Sequence, residues 1–283
     1  MYHLYGLKAN LRNIIILSKK YHALEAKMTT DSLKDSYQKC LSSMQSPLTL
    51  SSIGQLEFID DQQLEQYLIE FFNVRVEKHQ SKYSFDDRND TSQKLILLKK
   101  ALCTLEDRNE DLAYFFRLVV NRVFCFDIYD SAGGTSRKAI GLLWANPPLN
   151  WSVEDLIEFY VHELAHNLLF LDECCGEHYV SYDVLEEPTK QAISAIRMTP
   201  RRLDLVVHSL VAAIEVLLAR ESWLGHPSEP KTHPPSSVLL ANCYKLFRSI
   251  HEVSNWDRLV KERGIEIIYR CKEILNYYGY TDI

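Results

Sequence analysis

The sequence lacks a long uninterrupted hydrophobic run. No apolar stretch approaches the roughly 20 residues that a helix needs to cross a bilayer. The first 20 residues also lack the basic start, apolar core and small-residue cleavage site of a signal peptide. The apolar run at 14–17 is too short for either role. The sequence therefore predicts no membrane partner.

The sequence also lacks an excess of positive charge and a regular cysteine pattern. Its formal net charge is −6, and its Lys and Arg residues form no basic stripe, so we expect no nucleic-acid partner. Its 7 cysteines are odd in number and irregularly spaced, which favours reduced thiols in a cytoplasmic protein. The pair Cys174 and Cys175 has no second pair at zinc-site spacing.

The pattern of apolar residues predicts a mainly α-helical protein with one small β-hairpin or sheet. The hairpin is predicted from two β-rich runs, residues 119–129 and 138–145, that flank the turn signal Gly133-Gly134. We expect a helical N-terminal region over residues 1–120, which caps a groove or completes the core. The metal-binding domain with its C-terminal helices is predicted over 121–283.

A five-residue motif carries the chemistry: His162-Glu163-Leu164-Ala165-His166. It lies in a predicted helix over 153–171, with Ser152 as N-cap and Asp155 in the capping-box position. Histidines four residues apart project from one helix face and can bind one divalent cation. Glu163 would then hold or deprotonate a metal-bound water.

A metal site needs a third protein ligand, and several residues qualify. Asp172 has the spacing of the third metal ligand in metzincin peptidases. However, Leu169 stands where those proteins have a turn glycine, so we expect the helix to continue and to carry Asp172 away from the metal. Glu173 and His178 are nearby alternatives. His208 is favoured, because it interrupts an apolar helix that starts near residue 203. Glu215, two turns further on, would be the ligand in a gluzincin-type peptidase.

A basic cluster precedes the His208 helix. It comprises Arg197, Arg201 and Arg202. Arginine binds carboxylates through two parallel hydrogen bonds, so Arg201 or Arg202 could anchor a 2-oxo acid. The alternative is a solvent-exposed start of a helix.

Three blocks of residues 130–222 resemble a known family. They are His162-Glu163-Leu164-Ala165-His166-Asn167-Leu168-Leu169-Phe170-Leu171-Asp172-Glu173, Ser194-Ala195-Ile196 and Arg201-Arg202-Leu203-Asp204-Leu205-Val206-Val207-His208-Ser209. They resemble the HExxH-domain proteins that are associated with ribosomally synthesised, modified peptides. Members of that family are described as iron(II)- and 2-oxoglutarate-dependent peptide β-hydroxylases. The family often has proline in the place of Arg202.

The resemblance implies metal ligation by His162, His166 and His208, with Arg201 as the cosubstrate anchor. It implies that Glu163 orients the substrate or supports the ligands. The expected cofactors are iron(II) and 2-oxoglutarate, and the expected partner is a precursor peptide. The motif alone predicts a second function, a zinc peptidase with Glu163 as general base. A third interpretation is a peptide-binding protein without turnover.

Overall fold

The computed structural model describes residues 1–21, 29–46, 55–76, 88–126 and 132–277. In these ranges the protein is mainly helical, with a four-stranded and a two-stranded sheet, so the predicted fold class is confirmed. No helix in these ranges is long and apolar enough to cross a membrane.

The chain divides into two compact units. One comprises residues 7–171, and the other joins residues 1–6 to residues 172–283. The predicted division after residue 120 was drawn from motifs rather than from compactness, and it stays a prediction.

The 7–171 unit contains six helices in the described ranges. They are α1 (Tyr2–Tyr21), whose first residues belong to the other unit, α2 (Thr30–Met44), α3 (Gln62–Val76), α4 (Arg88–Arg108), α5 (Glu110–Val119) and most of α6 (Val153–Cys175). Gly6 has φ +78° and interrupts α1 at the boundary between the units. A positive φ is readily adopted only by glycine.

The predicted hairpin is wrong in its topology. The strands are β1 (Glu57–Phe58), β2 (Arg122–Cys125), β3 (Gly133–Gly134) and β4 (Leu142–Ala145), in the order β1-β2-β4-β3. The two β-rich runs form β2 and β4, which pair in parallel, and β3 pairs antiparallel with β4. A parallel pair needs a crossover connection, which a tight turn cannot provide. Residues 127–131, which include part of the predicted hairpin, lie outside the described residues.

The predicted turn glycines form strand β3, where close packing explains them. A Cβ atom on Gly133 would lie 2.3 Å from the ring of Phe159 and 2.9 Å from the carbonyl oxygen of Trp144. A Cβ atom on Gly134 would lie 2.7 Å from Nε1 of Trp144. Neither position has room for a side chain. Because Gly133 has none, β3 can pack directly against Phe159 of helix α6.

Helix α6 is held in place along its length. At its start, the backbone N–H of Ser152 donates to Asp155 and that of Asp155 donates to Oγ of Ser152, as predicted for a capping box. In the middle, the hydroxyl of Tyr160 donates to a carbonyl of α4 at 2.7 Å. Further on, Oδ1 of Asn167 accepts from the backbone N–H of Gly141 at 2.9 Å.

The second unit is built around the helix that carries His208. Its elements are the last turn of α6, α7 (Tyr182–Leu185), β5 (Gln191–Ile193), β6 (Pro200–Arg202), α8 (Leu203–Ala219), α9 (Ser236–Glu252), α10 (Trp256–Leu259) and α11 (Glu262–Tyr277). Nearly all of α8 is buried, and it packs against α9 and α11. A helix that is apolar on every side belongs in a core.

The antiparallel pair β5 and β6 is tied to helix α8 by hydroxyl groups. Oγ of Ser194 and Oγ of Ser209 lie 2.8 Å apart, and the backbone N–H of Ile196 donates to Ser209 at 3.2 Å. Ser209 follows His208 directly. These contacts fix the segment between β5 and β6 beside the first turns of α8.

Candidate metal centre

The two motif histidines come together on α6. Nε2 of His162 and Nε2 of His166 lie 3.0 Å apart, and the rings meet edge to face. Both residues are partly exposed, whereas the apolar residues between them are buried. The helix spacing therefore produces the paired imidazoles that the sequence predicts.

The separation of the two nitrogens suits a shared cation. Imidazole nitrogens bind divalent metals at about 2.0–2.1 Å, so a gap of 3.0 Å corresponds to an angle of roughly 90° between two such bonds. That angle belongs to octahedral coordination, which leaves positions for other ligands. His162 and His166 thus fit a divalent cation.

Glu163 adds a buried carboxyl group beside the pair. Its Oε1 lies 3.8 Å from Nε2 of His162, and its side chain is 4% exposed. Its Oε2 is buried and has no hydrogen-bond partner among the described residues. Burial raises the pKa of Glu163 to about 8. A buried oxygen without a partner is costly in a purely structural residue, so its position favours a bound ligand or water.

His208 lies on α8, in the other compact unit, so its predicted place in the ligand set stays a prediction. Within its own unit its Nε2 lies 3.4 Å from Oε1 of Glu173. Burial raises the pKa of Glu173, but hydrogen bonds from His208 and Tyr182 outweigh it and the net pKa is lowered.

Asp172 and His178 belong to a buried ion-pair network. The helix continues through Asp172 to Cys175, as the missing turn glycine predicts. Nε and Nη2 of Arg263 bind the Asp172 carboxylate at 2.9 and 2.7 Å, and Nε2 of His178 lies 2.8 Å from it. Although burial raises the pKa of Asp172, these partners hold it well below its usual range. Asp172 is therefore committed to its partners in this unit.

Glu215 caps a helix. Its carboxylate accepts the backbone N–H groups of His3 and Leu4 at 2.8 and 3.0 Å, in the first turn of α1. Nδ1 of His3 lies 2.9 Å from the same carboxylate, and Nε2 of His3 accepts from the indole of Trp223. The burial of Glu215 raises its pKa, but the His3 contacts and a nearby ammonium lower it to about 2. These contacts use the lone pairs that a metal would need.

The two adjacent arginines differ in their partners. Arg202 donates two hydrogen bonds to Asp204, at 3.1 and 2.8 Å, and a third to Glu186. Arg201 forms no ion pair or side-chain hydrogen bond with any described residue. Burial and the nearby Arg197 lower the pKa of Arg201, with Asp204 acting in the opposite direction. Arg201 is thus a half-buried cation without a bound carboxylate, and Arg202 is neutralised.

Across the five described ranges, no three His, Cys, Asp or Glu side chains form a group that could hold a metal ion. All seven cysteines, including Cys174 and Cys175, lie in the described ranges, and none of them forms a disulfide bond.

Sequence reasoning missed several residues that shape these clusters. Asn167 bridges α6 to the loop before β4 and donates to the Glu163 carbonyl at 2.9 Å. Tyr182 and Arg263 hold the carboxylates at the end of α6. Asn167 could have been noticed as a polar residue in an apolar helix segment, but nothing in the sequence links Arg263 to a residue 91 positions away.

Comparison with known proteins adds no family assignment. No family model matches the chain, and no curated protein matches it. The resemblance to HExxH-domain proteins therefore rests on the motif residues themselves.

Proposed function

We propose that this protein is a metal-dependent enzyme that uses iron(II) and 2-oxoglutarate to hydroxylate a side-chain carbon of a ribosomally made precursor peptide. The observation that carries the metal site is the 3.0 Å separation of the His162 and His166 nitrogens. The identity of the metal, the cosubstrate and the peptide rest on the sequence resemblance over residues 130–222. None of the seven cysteines forms a disulfide bond, and reduced cysteines are typical of the cytoplasm, which we propose as the location.

In this proposal the chain's residues bind and orient. His162 and His166 hold the metal, and His208 is the third ligand that the resemblance implies. When bound, iron(II) would activate dioxygen, so that one oxygen atom enters the C–H bond of the peptide and the other converts 2-oxoglutarate to succinate and carbon dioxide. Glu163, with a buried oxygen that has no partner in the described ranges, hydrogen-bonds a water or the peptide beside the metal. The low exposure of this carboxyl group excludes bulk water from it.

Arg201 anchors the cosubstrate in this proposal. A half-buried guanidinium without a carboxylate partner can form a bidentate pair with an incoming carboxylate. Arg202, which the sequence offers as the alternative anchor, is already bound to Asp204 and Glu186. Because Arg202 already has carboxylate partners and Arg201 has none in the described ranges, Arg201 is the favoured anchor for 2-oxoglutarate.

A second candidate function is a zinc peptidase. It is favoured by the position of Glu163, since a carboxyl group next to the first histidine can act as general base for water attack on an amide. The same buried oxygen that would orient a peptide would then accept a proton from the metal-bound water.

The test is anaerobic reconstitution of the purified protein with iron(II) and 2-oxoglutarate. The proposal predicts a visible charge-transfer band that is lost in His162→Ala, His166→Ala and His208→Ala. We expect Arg201→Ala to weaken 2-oxoglutarate binding, because the carboxylate loses its bidentate partner.

Two matched variants serve as controls. Arg202→Ala removes the neighbouring arginine and should leave 2-oxoglutarate binding near the wild-type level. His226→Ala removes an exposed histidine, 51% accessible, and should leave the band unchanged. Zinc that is retained through purification, together with amide hydrolysis that Glu163→Gln abolishes, would show that the protein is a peptidase instead.

A further inference from the structure

A serine, a histidine and a glutamate lie in contact where the chain passes from the end of α8 to the start of α9. Oγ of Ser236 lies 2.8 Å from Nδ1 of His226. Nε2 of the same imidazole lies 3.2 Å from Oε2 of Glu221. All three residues belong to the compact unit that contains residues 172–283. The proposed function uses none of them.

The carboxylate sets the direction of the hydrogen bonds in this series. A carboxylate only accepts hydrogen bonds, so in neutral His226 the nitrogen that faces Glu221 holds the proton. Nδ1 then carries the lone pair, and the hydroxyl of Ser236 donates to it. His226 has no other hydrogen-bond or ion-pair partner in the described ranges.

The arrangement is the one that activates a serine for nucleophilic attack. A hydroxyl lies within hydrogen-bond reach of a base, and a third group orients that base. In the chymotrypsin-type proteases the base is Nε2 of the histidine, whereas here it is Nδ1. Either nitrogen of a neutral imidazole can accept a proton, so the reversed order leaves the chemistry available.

Two further features favour negative charge on the Ser236 oxygen. Nη1 of the buried Arg220 donates to Oγ of Ser236 at 3.2 Å and to the carbonyl oxygen of Pro234 at 2.9 Å. Ser236 is also the first residue of α9, a 17-residue helix that has no side-chain N-cap hydrogen bond. The first N–H groups of a helix have no partner within it and give its start a partial positive charge. Donors in such positions stabilise the oxyanion that forms in acyl transfer.

The site is open to solvent, which limits the substrates that it can use. The side chains of His226 and Glu221 are 51% and 55% exposed. Water screens the interactions of exposed charges and weakens their effect. We therefore expect the serine to react with esters or thioesters that have a good leaving group, and not with amides.

We propose that Ser236 is the nucleophile of a second, metal-independent site, which accepts an acyl group from an activated ester or thioester. His226 is its general base, and Glu221 is a positioning residue that acts through His226. The inference does not rest on the proposed function, because all of its residues lie in one compact unit and none of them is a proposed metal ligand.

The reaction has two steps and involves no oxidation or reduction. In the first, Oγ of Ser236 bonds to the carbonyl carbon and its proton passes to Nδ1 of His226. The C–O or C–S bond of the substrate then breaks, and the leaving group takes up that proton. In the second step Nδ1 deprotonates a water molecule, which hydrolyses the seryl ester, releases the carboxylic acid and restores the hydroxyl.

The test uses p-nitrophenyl acetate and the full chain in the presence of a chelator, which keeps metal-bound water out of the reaction. The absorbance of p-nitrophenolate follows the acylation step, and peptide mass spectrometry locates the acetyl group. We expect a burst of product and an acetyl group on Ser236. Because an activated ester also reacts with other exposed nucleophiles, the rate of acetylation is measured for each site separately.

Two variants remove the nucleophile and its base. Ser236→Ala should abolish acetylation of that peptide. His226→Gln should slow acetylation of Ser236 by about 100-fold, since a positioned general base typically contributes at least that factor. The matched control is Ser237→Ala, which removes the next hydroxyl on the same helix and should leave the rate unchanged. Acetylation of the exposed Cys103 is an internal standard and should be equal in every variant.

The role of Glu221 requires a double-mutant cycle. Glu221→Gln should slow acetylation of Ser236 by about 10-fold, a smaller loss than that of His226→Gln because exposed charges interact weakly. In a His226→Gln background it should have no further effect, because a positioning residue acts only through the group that it orients. A purely structural role would lower the rate equally in both backgrounds.

Either of two results would overturn the inference. One is acetylation of Ser236 that is no faster than that of Ser237 in the wild type. The other is a wild-type rate in His226→Gln, with circular dichroism showing that the variant is folded. Failure of the proposed function is seen separately, in the iron(II) band, which should be the same in Ser236→Ala and the wild type.

Discussion

Helix α6 buries acidic residues in contrasting surroundings at its middle and in its last turn. Near its middle, Glu163 has a buried oxygen without a partner in the described ranges, and burial raises its pKa to about 8. In its last turn, Asp172 is bound by Arg263 and His178, and these partners hold its pKa well below the usual range. One helix thus carries a carboxyl oxygen that no described residue satisfies and a carboxylate that is bound by a cation and an imidazole.

The contrast separates structural from functional polar residues. Removal of one partner from a buried ion pair leaves an uncompensated charge in a low-dielectric surrounding, which destabilises the fold. A buried polar group without partners lowers stability unless a ligand satisfies it, and such groups concentrate at functional sites. Glu163, whose buried Oε2 atom has no partner in the described ranges, has the character of the second class.

The largest expected effect is that of Asp172→Asn. It removes the carboxylate that Arg263 and the fully buried His178 share and leaves Arg263 only its exposed partner Glu266. Loss of one partner from a buried ion pair costs about 3 kcal/mol. Urea unfolding of the full chain measures the loss. The control is Glu273→Gln, which breaks the exposed pair with Arg270 and should cost about 0.5 kcal/mol or less. Equal losses in the two variants would contradict the contrast.

The second effect is on acid stability. A carboxylate with a lowered pKa in the folded state stabilises the protein above its unfolded pKa of about 3.9, and that contribution is lost as the pH falls further. We therefore expect the unfolding free energy of the wild type to fall by about 2 kcal/mol more than that of Asp172→Asn between about pH 5 and pH 2. Parallel pH profiles for the two proteins would rule out this role of Asp172.

The third effect concerns the packing of strand β3 against Phe159, which lies in α6 just before the His162–His166 motif. Gly133→Ala places a methyl group 2.3 Å from the Phe159 ring, so β3 or the helix must shift, at a cost of about 1–2 kcal/mol. In a Phe159→Leu background the ring is absent, and the same substitution should cost less. A double-mutant cycle measures the coupling, and strict additivity would show that this contact is unimportant.

The smallest expected effect is that of Glu163→Gln on stability. No described residue satisfies the buried Oε2 atom, so the amide loses no partner there, and it avoids the cost of keeping a buried carboxyl group protonated at neutral pH. We expect the unfolding free energy to stay within about 0.5 kcal/mol of the wild type, or to rise. A loss as large as that of Asp172→Asn would mean that Glu163 is a structural residue.

Local features of the sequence predicted much of the helical structure. Capping by Ser152 and Asp155, the continuation of α6 past Leu169 and the pairing of His162 with His166 all depend on residues within a few turns. The predicted hairpin was wrong because the choice between parallel and antiparallel pairing depends on the whole sheet. Strand β1, at residues 57–58, pairs in parallel with β2 and lies far from it in the sequence.

The sequence by itself determined that His162 and His166 lie together, because helix periodicity places residues four apart on one face wherever the helix lies. Only the tertiary structure decided which charged groups are already engaged. Glu215 caps a turn more than 200 residues away, and Arg202 is bound while Arg201 is not. Burial and long-range contacts set these partnerships. They separate the paired Asp172 from Glu163 on the same helix, whose Oε2 atom has no partner in the part of the chain that the structure describes.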